Sequence, residues 1–591
     1  MTVNGWTGAI LHINLSERTQ WVERPESDTY HRLIGGKGLA GSYLRPWVTH
    51  PWDAPEMPLI FMSGPLVGTP SPTSGRIQVM SRSPLTGTVG DASVGGSLGT
   101  QLKRAGYDGI VLTGRCDGIT GIEIVDGALT FHDASALAGQ DTEAVTEQLK
   151  DKGATVVIGP AAEHGVLFAT IMVDGTYAVG RNGLGCVCAA KNLKYLTVKG
   201  GGEVGIHDKE ALKKAREDIV RLIASSPVLL GEQGLTHYGT GALFDLMSSR
   251  RMMPTANFRA TWFPPAHGLN APAYKKRYGD KRTGCRGCHI LCKRVADDGR
   301  HLPEFETMSH FTALIENEDM EIVTRANHLC GMLGMDTISA GATLACYAEI
   351  ENRKLSGEEV LSLIEDIGRG RGIGAELGLG SYRYAASKGC PELSMSVKKQ
   401  ELAAYDPRGA YGMALAYATS TRGGCHLRAY PISHEILRKP VATDRFSFAG
   451  KARIIKIAED ANAVVDSLTA CKFVFFASSL EEYAKAYTAV TGVDTTAQDL
   501  LHAGERIYYN ERVMNALNGF TAVDDDLPPR FFTEAGTSGN AITIPPIDRA
   551  AFLEARRDYY RVRGLDENGL PLPEKTRELA LEWNPEEIQA S

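Results

Sequence analysis

Three cysteines stand close together in the chain, at Cys285, Cys288 and Cys292, with the spacing C-x2-C-x3-C. Three soft thiolate ligands at this spacing suit an iron–sulfur cluster that takes its fourth ligand from elsewhere. A structural zinc site more often has two separated C-x2-C pairs, and this sequence has no such pair outside the run. The spacing therefore indicates electron transfer. The alternative is three cysteines that are buried for packing alone.

Spacing does not identify the fourth cluster ligand. The remaining cysteines are Cys116, Cys186, Cys188, Cys330, Cys346, Cys390, Cys425 and Cys471. From the residues alone, all of them stay open as candidates.

Glycine-rich stretches form a second group of candidates. They lie at residues 63–68, 72–76, 93–96 and 180–185. Each places small residues near an arginine or near free backbone N–H groups, which suits the close approach of an anion such as phosphate. None follows the G-x-G-x-x-G dinucleotide fingerprint, and a single glycine stretch is more often a tight turn than a ligand site.

Two further segments carry acid–base chemistry. His426 follows a double glycine and lies between Arg422 and Arg428, so it could serve an anionic or proton-transferring site. Glu304 and Glu306 follow soon after the cysteine run. Such carboxylates are usually solvated, but a buried one would act as an acid or base.

The bulk composition narrows the class of protein. The chain has 591 residues, 43% hydrophobic and 23% charged, which is ordinary for a globular protein of two to four domains. A net charge of −7 argues against a nucleic-acid binder. No signal peptide or membrane-length apolar run is visible, and eleven cysteines in so long a chain do not make a disulfide scaffold. We therefore expect no membrane insertion and a cytoplasmic location.

The hydrophobic pattern changes near residue 205. Short apolar runs bounded by Gly, Pro or Asp predict strands before it, at residues 8–15, 59–62, 109–112, 156–158 and 195–198. Helical spacing dominates after it, beginning at residues 209–222. A later helical stripe, which we interpret as a core-facing surface, consists of Ile454, Ile457, Ala458, Ala461, Val465 and Leu468.

Seven stretches in the same order resemble the aldehyde:ferredoxin oxidoreductase family, over about residues 5–570. They are residues 63–66, 82–87, 105–108, 180–194, 285–292, 405–409 and 422–426. The resemblance implies an α+β fold, with a strand-rich N-terminal pterin-binding domain followed by two mainly α-helical domains. We place these domains at residues 1–205, at 206–405 with three cluster cysteines, and at 406–591 with the fourth cysteine and the active-site histidine.

The resemblance also implies cofactors and site residues. The family carries a tungsten bis-pterin cofactor and one [4Fe–4S] cluster, and Mg²⁺ bridging the pterin phosphates is expected. The family's distant Asp-x-x-Gly-Leu-Cys motif corresponds to residues 466–471, which makes Cys471 the fourth cluster ligand. The implied catalytic residues are Glu306 as acid–base and His426 as hydrogen-bond partner of the substrate. The implied pterin-binding residues are Arg76, Ser93, Gly95, Gly96, Arg181, Asp336, Arg428 and Asp466.

The sequence departs from the family pattern at several positions. The first pterin motif, Asp-x-x-Gly-Leu-Asp, begins here with Gly331, so its leading carboxylate is missing. Thr469 and Ala470 replace Gly and Leu in the second motif, and Ser93 stands where Asn is expected. One archaeal branch binds a lone iron at the subunit interface through Glu-x-x-His. Residues 325–328 read Arg-Ala-Asn-His, so we expect no such iron.

The function implied by the resemblance is oxidation of aldehydes to carboxylic acids. Electrons would leave through the cluster to ferredoxin or to a partner iron–sulfur subunit, in a homodimer or hetero-oligomer. Molybdenum could replace tungsten. Two alternatives remain: another pterin-dependent redox enzyme, such as a class II benzoyl-CoA reductase-like catalytic subunit, and an electron-transfer scaffold without pterin.

Overall fold

The structure is a computed structural model, and it describes residues 4–581. The polar tail at residues 584–591 lies outside the described residues.

The first 200 residues carry two six-stranded mixed sheets. The first sheet has the order β2-β1-β6-β3-β4-β5, and only β1 and β6 run parallel. Its strands are β1 (Ile10–Asn14), β2 (Thr19–Glu23), β3 (Leu59–Met62), β4 (Ile77–Arg82), β5 (Val89–Val94) and β6 (Gly109–Thr113).

The second sheet has the order β11-β10-β9-β12-β7-β8, with β7 and β12 as its parallel pair. Its strands are β7 (Thr120–Val125), β8 (Ala128–Asp133), β9 (Ala154–Ile158), β10 (Ile171–Val173), β11 (Tyr177–Val179) and β12 (Leu193–Lys199). Two short hairpins follow later in the chain: β13 (Lys281–Thr283) with β14 (Lys293–Val295), and β15 (Ser396–Val397) with β16 (Gln400–Glu401).

Alternation of side chains explains why the first sheet is buried on both faces. Leu11 and Phe61 pack into a core that also contains Ile122 and Val156 of the second sheet. Their neighbours Ile10, Ile60 and Met62 point the other way, into a core built with helices of the C-terminal half. Because successive strand residues face opposite sides, one apolar run can serve both cores.

Helices are few among the sheets and dominate after them. Within the first 200 residues they are α1 (Ser27–Leu33), α2 (Gly36–Leu44), α3 (Leu98–Arg104), α4 (Thr142–Leu149), α5 (Pro160–Glu163) and α6 (Leu184–Ala190). The middle of the chain contains α7 (Lys209–Ser225), α8 (Pro227–Leu230), α9 (Leu235–Tyr238), α10 (Ala242–Ser249), α11 (Ala271–Tyr278), α12 (Phe305–His310), α13 (Met320–Leu333), α14 (Thr337–Ile350), α15 (Gly357–Gly368), α16 (Ile373–Leu377) and α17 (Ser381–Ser387). The last part contains α18 (Tyr411–Thr419), α19 (Ile432–Glu435), α20 (Lys451–Leu468), α21 (Leu480–Thr491), α22 (Ala497–Leu517), α23 (Arg530–Thr533), α24 (Arg549–Arg563) and α25 (Pro573–Glu578).

The predicted α+β fold class is confirmed. The large sheets end with β12 at Lys199, and α7 begins at Lys209, capped by the Asp208 carboxylate. All five predicted strand segments fall on strands. The domain limits themselves stay predictions, and no helix in residues 4–581 is long and apolar enough to cross a membrane.

The prediction that the α20 stripe faces the core is wrong in its first half. Ile457 is 54% exposed, and Ala458 and Ala461 border a cavity. The inward face instead carries the Glu459 and Asp460 carboxylates, because both pair with the buried guanidinium of Arg563. A buried ion-pair group therefore took the face that hydrophobic periodicity had assigned to isoleucine.

Candidate active site

A cavity of about 790 Å³ leads from the surface to the predicted acid–base pair. Exposed Lys439 and Ser479 lie at its mouth, and buried Arg181, Glu306 and His426 lie at its inner end. Six aromatic side chains line its wall: Phe305, Tyr405, Tyr430, Phe473, Phe475 and Phe476. Such a wall excludes water and favours the apolar part of a small organic molecule.

Glu306 lies in the first turn of α12, where its carboxylate is buried. One oxygen, Oε2, accepts the backbone N–H of Ala404 at 2.8 Å. The other, Oε1, has no hydrogen-bond partner and lies 3.5 Å from His426 Nε2. Burial raises the pKa of Glu306 to about 8, so this carboxyl group can carry a proton at neutral pH.

His426 is positioned by the loop between α18 and α19 and faces Glu306. Its pKa lies well below the ordinary value, first because the ring is buried and then because Arg181 and Arg422 are close. The ring is therefore neutral, and its Nδ1 has no hydrogen-bond partner. A neutral imidazole with a free nitrogen can hydrogen-bond a substrate oxygen.

The environments of Glu304 and Glu306 separate their pKa values, although they are two residues apart. Lys293 Nζ lies 2.7 Å from Glu304 Oε1 and lowers the pKa of this carboxyl group. Glu304 therefore stays ionised, whereas Glu306 takes up a proton. Opposite shifts of this kind are typical of a carboxyl pair in which only one member performs acid–base chemistry.

The four predicted cluster cysteines border a second cavity, of about 620 Å³. Cys285, Cys288 and Cys292 lie on the loop between β13 and β14, and Cys471 lies just after α20. All four are free thiols. Burial raises the pKa of Cys471 to about 11, with the neighbouring thiols of Cys288 and Cys285 adding to the shift.

The arrangement of these thiols favours a cluster over one zinc ion. Within residues 4–581, no three His, Cys, Asp or Glu side chains converge where a single ion would bind. A tetrahedral zinc site requires that convergence, whereas an iron–sulfur core keeps its thiolates farther apart because several irons stand between them. The four cysteines therefore fit a [4Fe–4S] group.

Arg76 and Gly95 complete the wall around the thiols. Arg76 Nε donates to Ser93 Oγ at 2.9 Å, and Nη2 donates to the Ser93 carbonyl at 2.6 Å. A Cβ atom on Gly95 would lie 2.5 Å from Cys285 Sγ, so only glycine lets the loop approach β5 this closely. Gly96, with φ +100°, approaches Asp174 in the same way.

The two cavities adjoin. Their shared lining residues are Glu304, Asp336, Thr337, Leu427 and Phe473. Arg181 Nε lies 3.3 Å from Asp336 Oδ2 and makes no hydrogen bond, which leaves a buried donor facing this region. A flat anionic cofactor placed between the thiols and Glu306 would fit these donors and this space.

Ser93, Gly96, Arg428 and Asp466 lie behind the cavity walls instead of on them. Arg428 pairs with Asp91 and with Glu511, the latter at 3.2 Å. Lys37 Nζ lies 2.7 Å from Glu511 and 3.4 Å from Asp91. Asp466 joins the same group through Lys472 at 2.9 Å. These side chains can support a cofactor site by fixing its wall.

Sequence reasoning missed several members of this buried charged group, above all Lys37 and Asp91. Lys37 sits in a Gly-rich run that fails the phosphate-loop pattern, and its Nζ is nonetheless 1% exposed inside α2. A lysine within an otherwise small and apolar helical segment is the signal that could have found it, because a buried ammonium requires an acidic partner.

Replacing Asp91 with asparagine is expected to destabilise the fold by about 3–5 kcal/mol, because Arg428 and Lys37 would lose a buried counter-charge. Arg428 and Lys37 hold the pKa of Asp91 well below its ordinary 3.8 despite burial. The contribution of Asp91 is therefore fully present above pH 4 and is lost as pH falls toward the folded-state pKa. Denaturant unfolding at pH 7 measures it, with exposed Asp117→Asn as the control. A loss below about 1 kcal/mol, the range of surface pairs, would contradict this prediction.

Comparison with known proteins agrees with these features along the whole chain. The chain is 37% identical to the tungsten-containing aldehyde ferredoxin oxidoreductase of Pyrococcus furiosus, covering 97% of this chain and 98% of the relative. The Thermococcus kodakarensis protein of the same name is 36% identical, with coverage of 97% and 98%. The WOR-like subunit of the P. furiosus aliphatic sulfonate oxidoreductase is 25% identical, with coverage of 98% and 97%.

The fold has a solved counterpart in the BamBC active-site complex of benzoyl coenzyme A reductase, in complex with 1,5-dienoyl-CoA. The TM-score is 0.83 at 20% identity, with coverage of 98% of this chain and 97% of that chain. The family model for the N-terminal domain of aldehyde ferredoxin oxidoreductase matches residues 10–200, and the model for domains 2 and 3 matches residues 214–581. With both models matched and two relatives above 35% identity, the chain belongs to the aldehyde ferredoxin oxidoreductase family.

Proposed function

We propose that this protein oxidises aldehydes to carboxylates at a tungsten bis-pterin centre and passes the electrons through one [4Fe–4S] cluster. The observation that carries the proposal is the juxtaposition of the two cavities. A buried Glu306–His426 pair ends an aromatic-lined cavity, and four free thiols border the cavity next to it. Relatives that match along the whole chain are named as tungsten-containing aldehyde oxidoreductases.

The proposed reaction balances as aldehyde plus water giving carboxylate, three protons and two electrons. The aldehyde carbon gains one oxygen from water and loses its C–H bond. Tungsten held by two pterins supplies, when bound, the acceptor for the electron pair. The protein must therefore remove protons, keep bulk water out and give the electrons an exit.

Glu306 and His426 perform the proton and orienting roles. The Glu306 carboxylate takes the proton released at the reacting carbon, since its Oε1 is unpartnered and faces the cavity. Neutral His426 donates or accepts a hydrogen bond at the substrate oxygen. Tyr405 and Tyr430, whose hydroxyls lie 3.1 Å apart, form a wall that orients the rest of the substrate.

Residues on both sides of the shared wall would hold the cofactors. Cys285, Cys288, Cys292 and Cys471 would ligate the cluster. Arg76 and Arg181 would contact the pterin groups, with the remaining predicted pterin residues behind them. Asp336 is already engaged, because it caps α14 and pairs with Arg181. Mg²⁺ between the pterin phosphates and the choice of tungsten over molybdenum stay predictions.

Composition of the anaerobically purified protein tests the cofactor part. About four irons, one tungsten and two pterins per chain are expected. Four irons without heavy metal or pterin would favour an electron-transfer scaffold, for which the missing carboxylate at Gly331 is the motivating departure.

Substrate class is tested on the same sample with a viologen dye as electron acceptor. We expect oxidation of acetaldehyde and benzaldehyde, and no dye-linked reduction of benzoyl-CoA. The reverse result would favour the benzoyl-CoA reductase-like alternative. We further propose ferredoxin or a small iron–sulfur subunit as the acceptor, in a homodimer or hetero-oligomer.

A further inference from the structure

A second buried histidine lies directly behind Glu306. His310 is one helical turn farther along α12, and its side chain is fully buried. Its Nδ1 lies 2.7 Å from the Glu306 backbone carbonyl and 3.9 Å from Glu306 Oε2. Its Nε2 lies 3.2 Å from the Leu402 carbonyl. Neither ring nitrogen reaches water.

Both partners of the His310 ring are carbonyl oxygens, which only accept hydrogen bonds. A neutral imidazole has one N–H, so one of its nitrogens would direct a lone pair at a carbonyl lone pair. The imidazolium has two N–H groups and satisfies both contacts. A buried polar contact left unsatisfied is costly, so this pattern favours a proton on His310.

Moving one proton from the Glu306 carboxyl group to His310 leaves the proton count of the pair unchanged. Burial opposes this transfer, since it raises the pKa of Glu306 to about 8 and lowers that of His310 to about 4. Three contacts favour it: the two carbonyls on His310, the Ala404 N–H on Glu306, and the 3.9 Å separation of the opposite charges.

We propose that His310 is a positioning residue that holds the shared proton as an imidazolium, so that Glu306 remains a carboxylate able to accept the proton of the substrate. The proposal rests on the proposed base role of Glu306. The proton transfer is complete within the pair: the carboxyl O–H breaks and an imidazole N–H forms.

Other groups around the pair act on the same equilibrium. The titratable and charged side chains that face it from neighbouring elements are Arg181, Asp336, Tyr405, Tyr417, Cys425, His426 and Tyr430. Arg181 favours the Glu306 carboxylate, and Asp336 opposes it. A Cβ atom on Gly341 of α14 would lie 2.7 Å from His310 Cβ, so this glycine allows the ring its position.

The direct test is infrared titration of the purified holoprotein, in which the carboxyl C=O band of Glu306 is identified by its absence in Glu306→Gln. In His310→Phe we expect Glu306 to ionise near pH 8, the value that burial alone gives it. In the wild type we expect ionisation about 1–3 pH units lower, the shift that an opposite charge at this distance produces. Equal values in both proteins would overturn the proposal.

The pH profile of kcat/KM with benzaldehyde gives a second readout. His310→Phe and the neutral donor His310→Gln should both move the acid limb to higher pH, by at least a factor of ten in kcat/KM at pH 7. A lower kcat with an unmoved limb would show a merely structural role and overturn the proposal. Iron content verifies that each variant is folded and loaded.

His164→Phe is the matched control. His164 Nδ1 also contacts the carbonyl four residues earlier, Pro160, at 2.8 Å, but far from Glu306. Its profile should equal that of the wild type. If the wild type oxidises no aldehyde, the proposed function fails while the infrared shift still decides the pairing of His310 with Glu306.

Discussion

Glu306→Gln is expected to lower aldehyde turnover by about 10²–10⁴-fold, the usual contribution of a positioned general base. The amide keeps the size of the side chain and can still accept the Ala404 N–H, so α12 and the cavity should be unchanged. It cannot take a proton from the substrate. Steady-state kinetics with benzaldehyde and a viologen dye measure the loss.

Metal and iron content must be measured on the same Glu306→Gln preparation, because turnover also falls when cofactor is lost. We expect the wild-type content, since Glu306 is not among the predicted cluster ligands. Exposed Glu318→Gln is the control for a carboxylate-to-amide change in the same part of the chain, with wild-type kinetics expected. A fully loaded Glu306→Gln protein with unchanged turnover would exclude Glu306 as the base.

Cys471→Ser is expected to abolish the cluster or to leave it with three irons, and to reduce dye-linked turnover below detection. A serine hydroxyl is a hard and weakly acidic ligand, whereas iron–sulfur clusters require soft thiolates. Cys471 is also placed close to its partners by the hydrogen bond from its backbone N–H to the Thr73 carbonyl, at 2.9 Å. Iron analysis and the EPR spectrum of the reduced protein measure the change.

Cys390→Ser is the matched control for Cys471→Ser. Cys390 is also a free and partly buried thiol, but its contact is the Ala385 carbonyl at 3.6 Å, away from both cavities. Iron content and spectrum should be those of the wild type. A four-iron cluster in Cys471→Ser with an unchanged spectrum would show that another residue supplies the fourth ligand.

Local patterns were sufficient wherever the deciding interaction is local. The strand segments from β1 to β12 follow from alternation and from their Gly or Pro borders, because each residue's facing depends on its immediate neighbours. The C-x2-C-x3-C run indicates a cluster for the same reason: three of its ligands lie on one short loop. The choice of Cys471 needed the family resemblance, since no local rule connects it to a loop 180 residues earlier.

Tertiary structure decided everything that depends on distant partners. Glu306 and His426 are 120 residues apart, and their 3.5 Å contact exists only because α12 and the loop after α18 meet at one cavity. Arg428 pairs with Asp91 behind the wall, and α20 directs alanines toward a cavity, because long-range ion pairs outweighed local periodicity. The sequence by itself determined the fold class and the kind of redox centre. The titration of Glu306, and the pairing of His310 behind it, were decided by burial and by backbone carbonyls that no sequence motif records.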